Sequence, residues 1–153
     1  MRIPILAVLL ALMLAAQSAP SQADASAASL EKAAIRALAF QQGDATSLAK
    51  SRPDFTAEGW NKFMQTLQGF LDDNKAPTFT SAFAPAGKAV VVPTSDGTIF
   101  LKIPGTWTQS SGASRTTYRL RLEVRGNGSP AKIERLEEIT CPQGQAANYC
   151  MGN

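Results

Sequence analysis

The chain contains no histidine in its 153 residues. Histidine is the commonest general base near neutral pH, the usual partner of a serine or cysteine nucleophile and a frequent metal ligand. Its absence excludes these kinds of site together. The carboxylates Asp54, Glu58 and Asp96 fit helix caps or a turn rather than one convergent set. We therefore expect no catalytic residue, no metal and no cofactor, and a protein that is not an enzyme.

The chain also lacks a run of basic residues. Lys and Arg number 15 against 12 Asp and Glu, which gives a net charge of +3. Nucleic-acid-binding domains concentrate Lys and Arg on one face or along one helix. We expect no nucleic-acid partner.

The apolar run near the N-terminus is too short to cross a membrane. After one arginine it covers residues 3–16, whereas a spanning helix needs about 20 apolar residues. Small residues then follow at the spacing that signal peptidase requires, in Ala23-Asp24-Ala25 or one step earlier in Ser21-Gln22-Ala23. Residues 1–25 are thus predicted to be a cleaved signal peptide, an uncleaved anchor or a buried helix being the alternatives. The mature protein would lie in the periplasm without stable membrane insertion.

Cysteine is scarce, with Cys141 and Cys150 alone near the C-terminus. An even pair in an exported protein most often forms a disulfide. A redox-active pair and a metal site are the alternatives, although the spacing is not CxxC and no histidine completes a ligand set. We expect residues 26–140 to form one domain and residues 141–153 a disulfide-closed tail.

A first helix is predicted over residues 30–42. Ser29 is an acceptable N-cap and Gly43 a stop signal. Residues 44–50 could add a short helix that Pro53 must end, because proline disfavours helical angles in the residue before it.

A second helix has stronger signals. Thr56 is a strong N-cap candidate, and Phe55 and Trp60 have the spacing of a hydrophobic staple. An apolar stripe of period 3.6 then runs to residue 71, and Asn74 is the expected end.

Strand patterns follow in residues 79–84, 88–92, 98–109, 114–125 and 132–139. Successive apolar residues predict that 88–92 is buried on both faces, and 114–125 alternates between apolar and charged residues. The last strand breaks the two-residue period, which predicts a β-bulge. Helices followed by strands predict an α+β fold, with N-terminal helices packed on a curved antiparallel sheet.

The order of elements resembles the cone-shaped nuclear-transport-factor-like fold. Residues 54–67, DFTAEGWNKFMQTL, are similar to a helix start in the periplasmic domain of the DotI/IcmL family, inner-membrane components of type IVB secretion systems. The resemblance implies a periplasmic protein-interaction or scaffold module, here as a soluble relative with a signal peptide. Its implied partners are components of a secretion apparatus or a second copy of the chain.

Clustered arginines form the first candidate site, a docking face for an acidic protein partner. The residues are Arg115, Arg119, Arg121 and Arg125. Arginine is favoured there because it binds carboxylates bidentately. The alternative is a solvated strand face whose arginines pair across the sheet with Glu123, Glu134, Glu137 and Glu138.

Aromatic residues form the second candidate site, the lining of a ligand cavity. The residues are Trp60, Phe63, Phe100 and Trp107. The alternative is that these rings are simply the core between helices and sheet, since they fall on periodic apolar faces. A lined cavity would indicate a periplasmic small-molecule-binding domain, or an enzyme, of the same cone-shaped fold.

Overall fold

The computed structural model describes residues 21–41, 48–74 and 79–141, with side chains throughout except at 41 and 69–74. This part of the chain folds as two long α-helices on one antiparallel sheet. The helices are α1 (Gln22–Ala37) and α2 (Ala57–Asn74), with a 3₁₀ turn (Arg52–Asp54) before α2. The strands are β1 (Phe40–Gln41), β2 (Phe79–Pro85), β3 (Val90–Val92), β4 (Ile99–Ser111), β5 (Ser114–Asn127) and β6 (Lys132–Thr140). The predicted α+β class is confirmed.

Helix α2 starts as predicted. The Thr56 hydroxyl accepts a hydrogen bond from the Gly59 N–H at 3.1 Å, which satisfies one of the free donors of the first turn. Phe55 lies against Trp60, with ring centres 5.4 Å apart in an edge-to-face arrangement, so the hydrophobic staple forms. Phe63 and Leu67 are buried on the same side. The helix ends at Asn74, also as predicted.

The start of α2 is fastened to the start of β6. The Thr56 N–H donates to the Ile133 carbonyl at 2.9 Å. A Cβ added at Gly59 would lie 2.4 Å from that same carbonyl oxygen and 3.0 Å from the Glu134 Cα. Only a glycine therefore lets the helix approach the strand this closely. The Phe-Thr-x-x-Gly part of the motif at 55–59 thus has a packing explanation.

The bounds predicted for the first helix are wrong at both ends. Helix α1 begins eight residues before residue 30, because Ser21 and Asp24 form a capping box. It ends at Ala37 rather than at 42, because Phe40 pairs with Ser81 in the β1–β2 ladder. The Phe40 ring contacts the Phe79 ring, with centres 6.0 Å apart.

Several predictions fall on residues that lie outside the described part. These are the signal peptide up to residue 20, the Gly43 stop, most of the short helix at 44–50, and the tail after Cys141 with Cys150. Residues 48 and 49 are helical and the helix ends before Pro53, which occupies the first turn of the 3₁₀ segment, where its missing N–H costs no hydrogen bond.

The sheet runs in the order β1-β2-β4-β5-β6, and β3 pairs with β4 beside this path. Strands β2 and β3 share one edge of β4, since β2 pairs with residues 105–111 and β3 with residues 100–102. Pro104 lies between these two stretches, where no partner strand needs its absent N–H. Its carbonyl accepts from Ala86 at 2.8 Å. Strand β4 therefore continues through the proline.

Strand β3 is not buried on both faces, contrary to the prediction. Val90 is 48% exposed and Val91 57% exposed. β3 is three residues long and pairs with β4, and about half of each of these two valines remains open to solvent. A β-branched apolar run therefore forms a strand without being core.

Both helices pack on one face of the sheet, which we call the inner face. Leu30, Ala33, Ala34 and Ala37 of α1 are buried there. They share one hydrophobic core with buried strand residues, namely Leu101, Ile103, Leu120, Leu122, Val124 and Ile133. Alanines in α1 allow close contact with the sheet, and at Gly126 a Cβ would lie 2.6 Å from a Leu30 methyl carbon. We call the opposite side of the sheet the outer face.

The predicted β-bulge is present in the β5–β6 pair. Arg125 pairs with Arg135, whereas Gly126 pairs with Ile133, so Glu134 is the extra residue. The bulge lets Ile133 and Leu136 both face inward despite their odd spacing. Ile139 pairs with Arg121 and lies on the outer face.

Candidate functional site

The four predicted arginines lie together on the outer face. On β5, residues 120, 122 and 124 point to the core, so the odd-numbered residues point away from it. Arg115 is opposite Ser110 and Arg119 is opposite Thr106 on β4. We call this set, Arg115, Arg119, Arg121 and Arg125, the arginine face.

Two of these arginines are held by neighbours on the same face. Arg121 forms an ion pair with Glu123 at 2.8 Å, and the two side chains are 17% and 21% exposed. The Arg125 guanidinium carbon lies 4.0 Å from the centre of the Phe100 ring, a cation–π contact. These contacts fix half of the arginine face in place.

The other two arginines, Arg115 and Arg119, are exposed. Neither has an ion pair with another residue of the described part of the chain. Around them the outer face is shallow, since β2 contributes Thr80, Ala82 and Ala84. A partner could therefore reach both guanidinium groups without displacing a protein contact.

The glutamates expected to neutralise the arginine face do so only in part. Glu123 pairs with Arg121, and Glu137 pairs with Arg135 at 2.6 Å. Glu138 pairs in register with Leu122 and thus lies on the inner face, away from the arginines. Lys102 and Arg135 add further positive charge to the outer face, so basic side chains outnumber acidic ones there.

The four aromatic residues predicted to line one cavity do not all line the same one, although the Trp60 and Phe63 rings are in contact, with centres 5.8 Å apart. Phe63 and Trp107 share a cavity of about 130 Å³ between α2 and the sheet. Trp60 instead faces Arg52, whose guanidinium carbon is 5.9 Å from its ring centre. Phe100 lies on the outer face, because it is seven positions from Trp107 along β4 and side chains alternate between the two faces. The prediction is therefore corrected to Phe63 and Trp107.

Glu138 is the cavity residue that the sequence analysis missed as a site. It lines the cavity with Leu38, Phe40, Phe63, Thr66, Leu67, Trp107 and Leu136. Burial raises the pKa of Glu138 above its ordinary value, and the neighbouring Glu137 carboxylate adds to the rise. The sequence could have predicted this position of Glu138. With the β-bulge in place Leu136 faces inward, and Glu138, two residues further along the strand, must face inward as well.

The polar groups beside this cavity are already bonded to one another. The Trp107 indole N–H donates to the Ser81 hydroxyl at 2.6 Å, and that hydroxyl donates to the Leu38 carbonyl at 2.6 Å. The Thr66 hydroxyl donates to the Lys62 carbonyl at 3.2 Å. Glu138 is thus the ionisable group in an otherwise apolar and hydrogen-bonded lining.

The described residues contain neither a metal-ligand cluster nor a membrane-spanning helix. No group of three or more Cys, Asp or Glu side chains is arranged there to hold a metal ion. None of the helices within these residues has the length and apolar character needed to cross a membrane.

The architecture is similar to that of two solved structures, the periplasmic domain of DotI and an IcmL-like protein. The chain superimposes on the periplasmic domain of DotI with a TM-score of 0.63 and 18% identity, over 80% of this chain and 97% of that one. It superimposes on an IcmL-like type IV secretion system protein from Legionella pneumophila with a TM-score of 0.60 and 13% identity, over 78% and 94%.

A periplasmic fragment of TraM is also similar, with a TM-score of 0.51 and 15% identity, over 76% of this chain and 97% of that one. No family model matches the chain, and no curated protein matches it. The resemblance drawn from residues 54–67 is thus confirmed as a shared fold, since these identities establish the fold alone.

Proposed function

We propose that the chain is an exported, non-catalytic protein-interaction or scaffold module that works with a type IV secretion or conjugation apparatus. The shared fold supports this proposal, because the neighbouring structures include the periplasmic domain of DotI and an IcmL-like type IV secretion system protein. The lack of histidine agrees with a module that performs no catalysis.

The arginine face carries the proposal. Arg115 and Arg119 are exposed on a sheet face that no described helix covers. Maintaining a local excess of positive charge lowers stability through repulsion, so its presence on one face favours an electrostatic role. Arginine binds carboxylates through two parallel hydrogen bonds, which adds geometric selectivity to the attraction.

The partner that fits this face is a protein with an acidic surface. Glu123 and Glu137 hold Arg121 and Arg135 in fixed positions, so the partner carboxylates would meet Arg115 and Arg119 first. The partner is a component of the secretion apparatus or a second copy of the chain. Interfaces of this kind associate faster at low salt, because the charges steer the encounter.

Affinity capture from periplasmic extract tests this function. The bait is the mature protein, compared with the double variant Arg115→Glu/Arg119→Glu and with a control of equal charge change, Lys32→Glu/Lys50→Glu. Both lysines are exposed, and Lys32 belongs to α1, which packs on the inner face. We expect secretion-apparatus proteins, or the untagged chain itself, to be captured by the wild type and the control and lost in the arginine variant. Equal capture by all three baits would refute the docking face.

Export by residues 1–25 is part of the proposal. Helix α1 begins at Gln22, so cleavage after Ala25 would remove both members of its capping box, Ser21 and Asp24. The mature helix would then begin closer to Ser29. Intact-mass measurement of the periplasmic protein should place its N-terminus at residue 26 or, with the earlier cleavage, at residue 24. A mass that retains Met1 would contradict cleavage.

The cavity favours a second candidate function, a periplasmic small-molecule-binding domain. The supporting observation is Glu138, a polar group inside an apolar lining, which is the common composition of a ligand site. This candidate and the docking face occupy opposite faces of the sheet, so the two functions are compatible.

A further inference from the structure

The cavity on the inner face has a defined set of walls. Phe63, Thr66 and Leu67 of α2 form one side, and Leu136 and Glu138 of β6 form another. Phe40 of β1 and Trp107 of β4 complete the aromatic part. A volume of about 130 Å³ is close to the ~150 Å³ that is enough for a benzene molecule. The space therefore suits one ring or a short branched chain.

Among the described residues, the Glu138 carboxyl has no partner of opposite charge in this space. Among the described residues that line the cavity, no other side chain titrates, and no side chain donates a hydrogen bond to it. The possible donors Thr66 and Trp107 bond to the Lys62 carbonyl and to Ser81. Glu137, the charge that acts on Glu138, has the same sign and lies on the outer face.

An ammonium group would supply what this lining lacks. It would meet the carboxylate as a counter-ion, and the aromatic rings attract cations through their negative faces. A hydrogen bond to a charged partner is also stronger than one between neutral groups. An apolar body attached to the ammonium would fill the remaining volume and exclude water.

We propose that this cavity binds a small organic cation, an amine on a ring-sized apolar body, with the Glu138 carboxylate as its counter-ion. The proposal does not rest on the arginine face or on a role in secretion. A neutral ligand that accepts a hydrogen bond from protonated Glu138 is the rival, and the experiment separates the two.

The test compares benzylamine with benzyl alcohol, its neutral counterpart of similar size, by NMR titration of the mature protein. We expect benzylamine to bind at least about ten-fold more tightly near pH 7.5, as one charged hydrogen bond would provide. The preference should vanish in Glu138→Gln and in acid, where the carboxyl is protonated. It should persist in Glu137→Gln, because that side chain faces outward.

The two tryptophans locate the binding site, since the chain has two in total. The Trp107 indole N–H signal should shift on titration and the Trp60 signal should not, because only Trp107 lines the cavity. Equal affinity for both probes, tighter binding of the alcohol, a preference unchanged in Glu138→Gln, or no binding of either probe would each overturn the proposal.

Discussion

The Arg125 guanidinium lies over the Phe100 ring, with 4.0 Å between the guanidinium carbon and the ring centre. This contact is on the outer face, where no described helix covers the ring, yet Phe100 is only 8% exposed. The Arg125 side chain therefore covers an aromatic ring that lies on the outer face of the sheet, outside the core. Within the arginine face, Arg125 thus has a structural role, whereas Arg115 and Arg119 are exposed.

Arg125→Ala should lower the free energy of unfolding by about 0.5–1 kcal/mol, because it removes the cation–π contact and uncovers the Phe100 ring. Arg125→Lys should recover part of the loss. Arg115→Ala is the matched control, an exposed arginine of the same strand, and should change stability little. Urea denaturation measures all three. Equal losses for Arg125→Ala and Arg115→Ala would show that the ring contact does not stabilise the fold.

Gly59→Ala should destabilise the protein, by about 1–3 kcal/mol as for other overpacked positions. An exchange of glycine for alanine inside a helix ordinarily stabilises by about 0.5–1 kcal/mol, so the sign is reversed. The reason is the Ile133 carbonyl oxygen, 2.4 Å from the added Cβ. Gly87→Ala is the control, since its nearest atom would be 3.7 Å away. A stabilised Gly59→Ala protein in thermal unfolding would disprove the close contact between α2 and β6.

Glu138→Gln should raise the free energy of unfolding near pH 7. Burial raises the pKa of Glu138 in the folded state, so the folded protein releases this proton at a higher pH than the unfolded chain does, and the charged form costs more in the folded state. Stability from this group is therefore present below the ordinary glutamate pKa and is lost as the pH rises through the raised value. The gain in the variant should disappear below about pH 4, where both states are protonated.

Glu58→Gln should have the opposite effect and lower the free energy of unfolding near pH 7. A hydrogen bond and charge attraction from Lys62 lower the pKa of Glu58, so its contribution is present at neutral pH and is lost on acidification. Denaturant unfolding across a pH series measures both variants. The same pH trend in the two would contradict the different environments assigned to them.

The disulfide between Cys141 and Cys150 remains a prediction, since Cys150 lies outside the described residues. The Cys141 N–H donates to the Arg119 carbonyl at 2.9 Å, so the tail starts beside the arginine face. We expect neither thiol to react with an alkylating reagent before reduction of the unfolded protein. Reduction should lower stability by about 2–3 kcal/mol in the loop-entropy model. Alkylation without reduction would contradict the disulfide.

Local signals predicted the elements whose structure is decided locally. The Thr56 cap, the Phe55–Trp60 staple and the alternation on β5 are complete within a few residues, and each was predicted correctly. The bulge in β6 was also predicted, because a broken period within nine residues reveals it.

Contacts between distant residues decided the elements that were predicted wrongly. Phe40 leaves the helix because it pairs with Ser81, and Val90 is about half exposed in β3, which pairs with β4 over three residues. At α1, the small residues 21–25 fit a cleavage site and a helix start equally well, and Ser21 with Asp24 forms the cap. The prediction that Phe100 and Trp107 line one cavity was wrong, because the two residues are seven positions apart on β4 and their rings therefore lie on opposite faces of the sheet.

Photo-crosslinking from the outer face in intact cells tests the central claim most directly. A photoreactive residue replaces Thr117, which is exposed on β5 between Arg115 and Arg119, and in the control it replaces Lys32 on α1. The account predicts a discrete adduct from position 117, with a secretion-apparatus component or a second copy of the chain, and no such adduct from position 32. The absence of an adduct at position 117, or the same adduct from both positions, would contradict it.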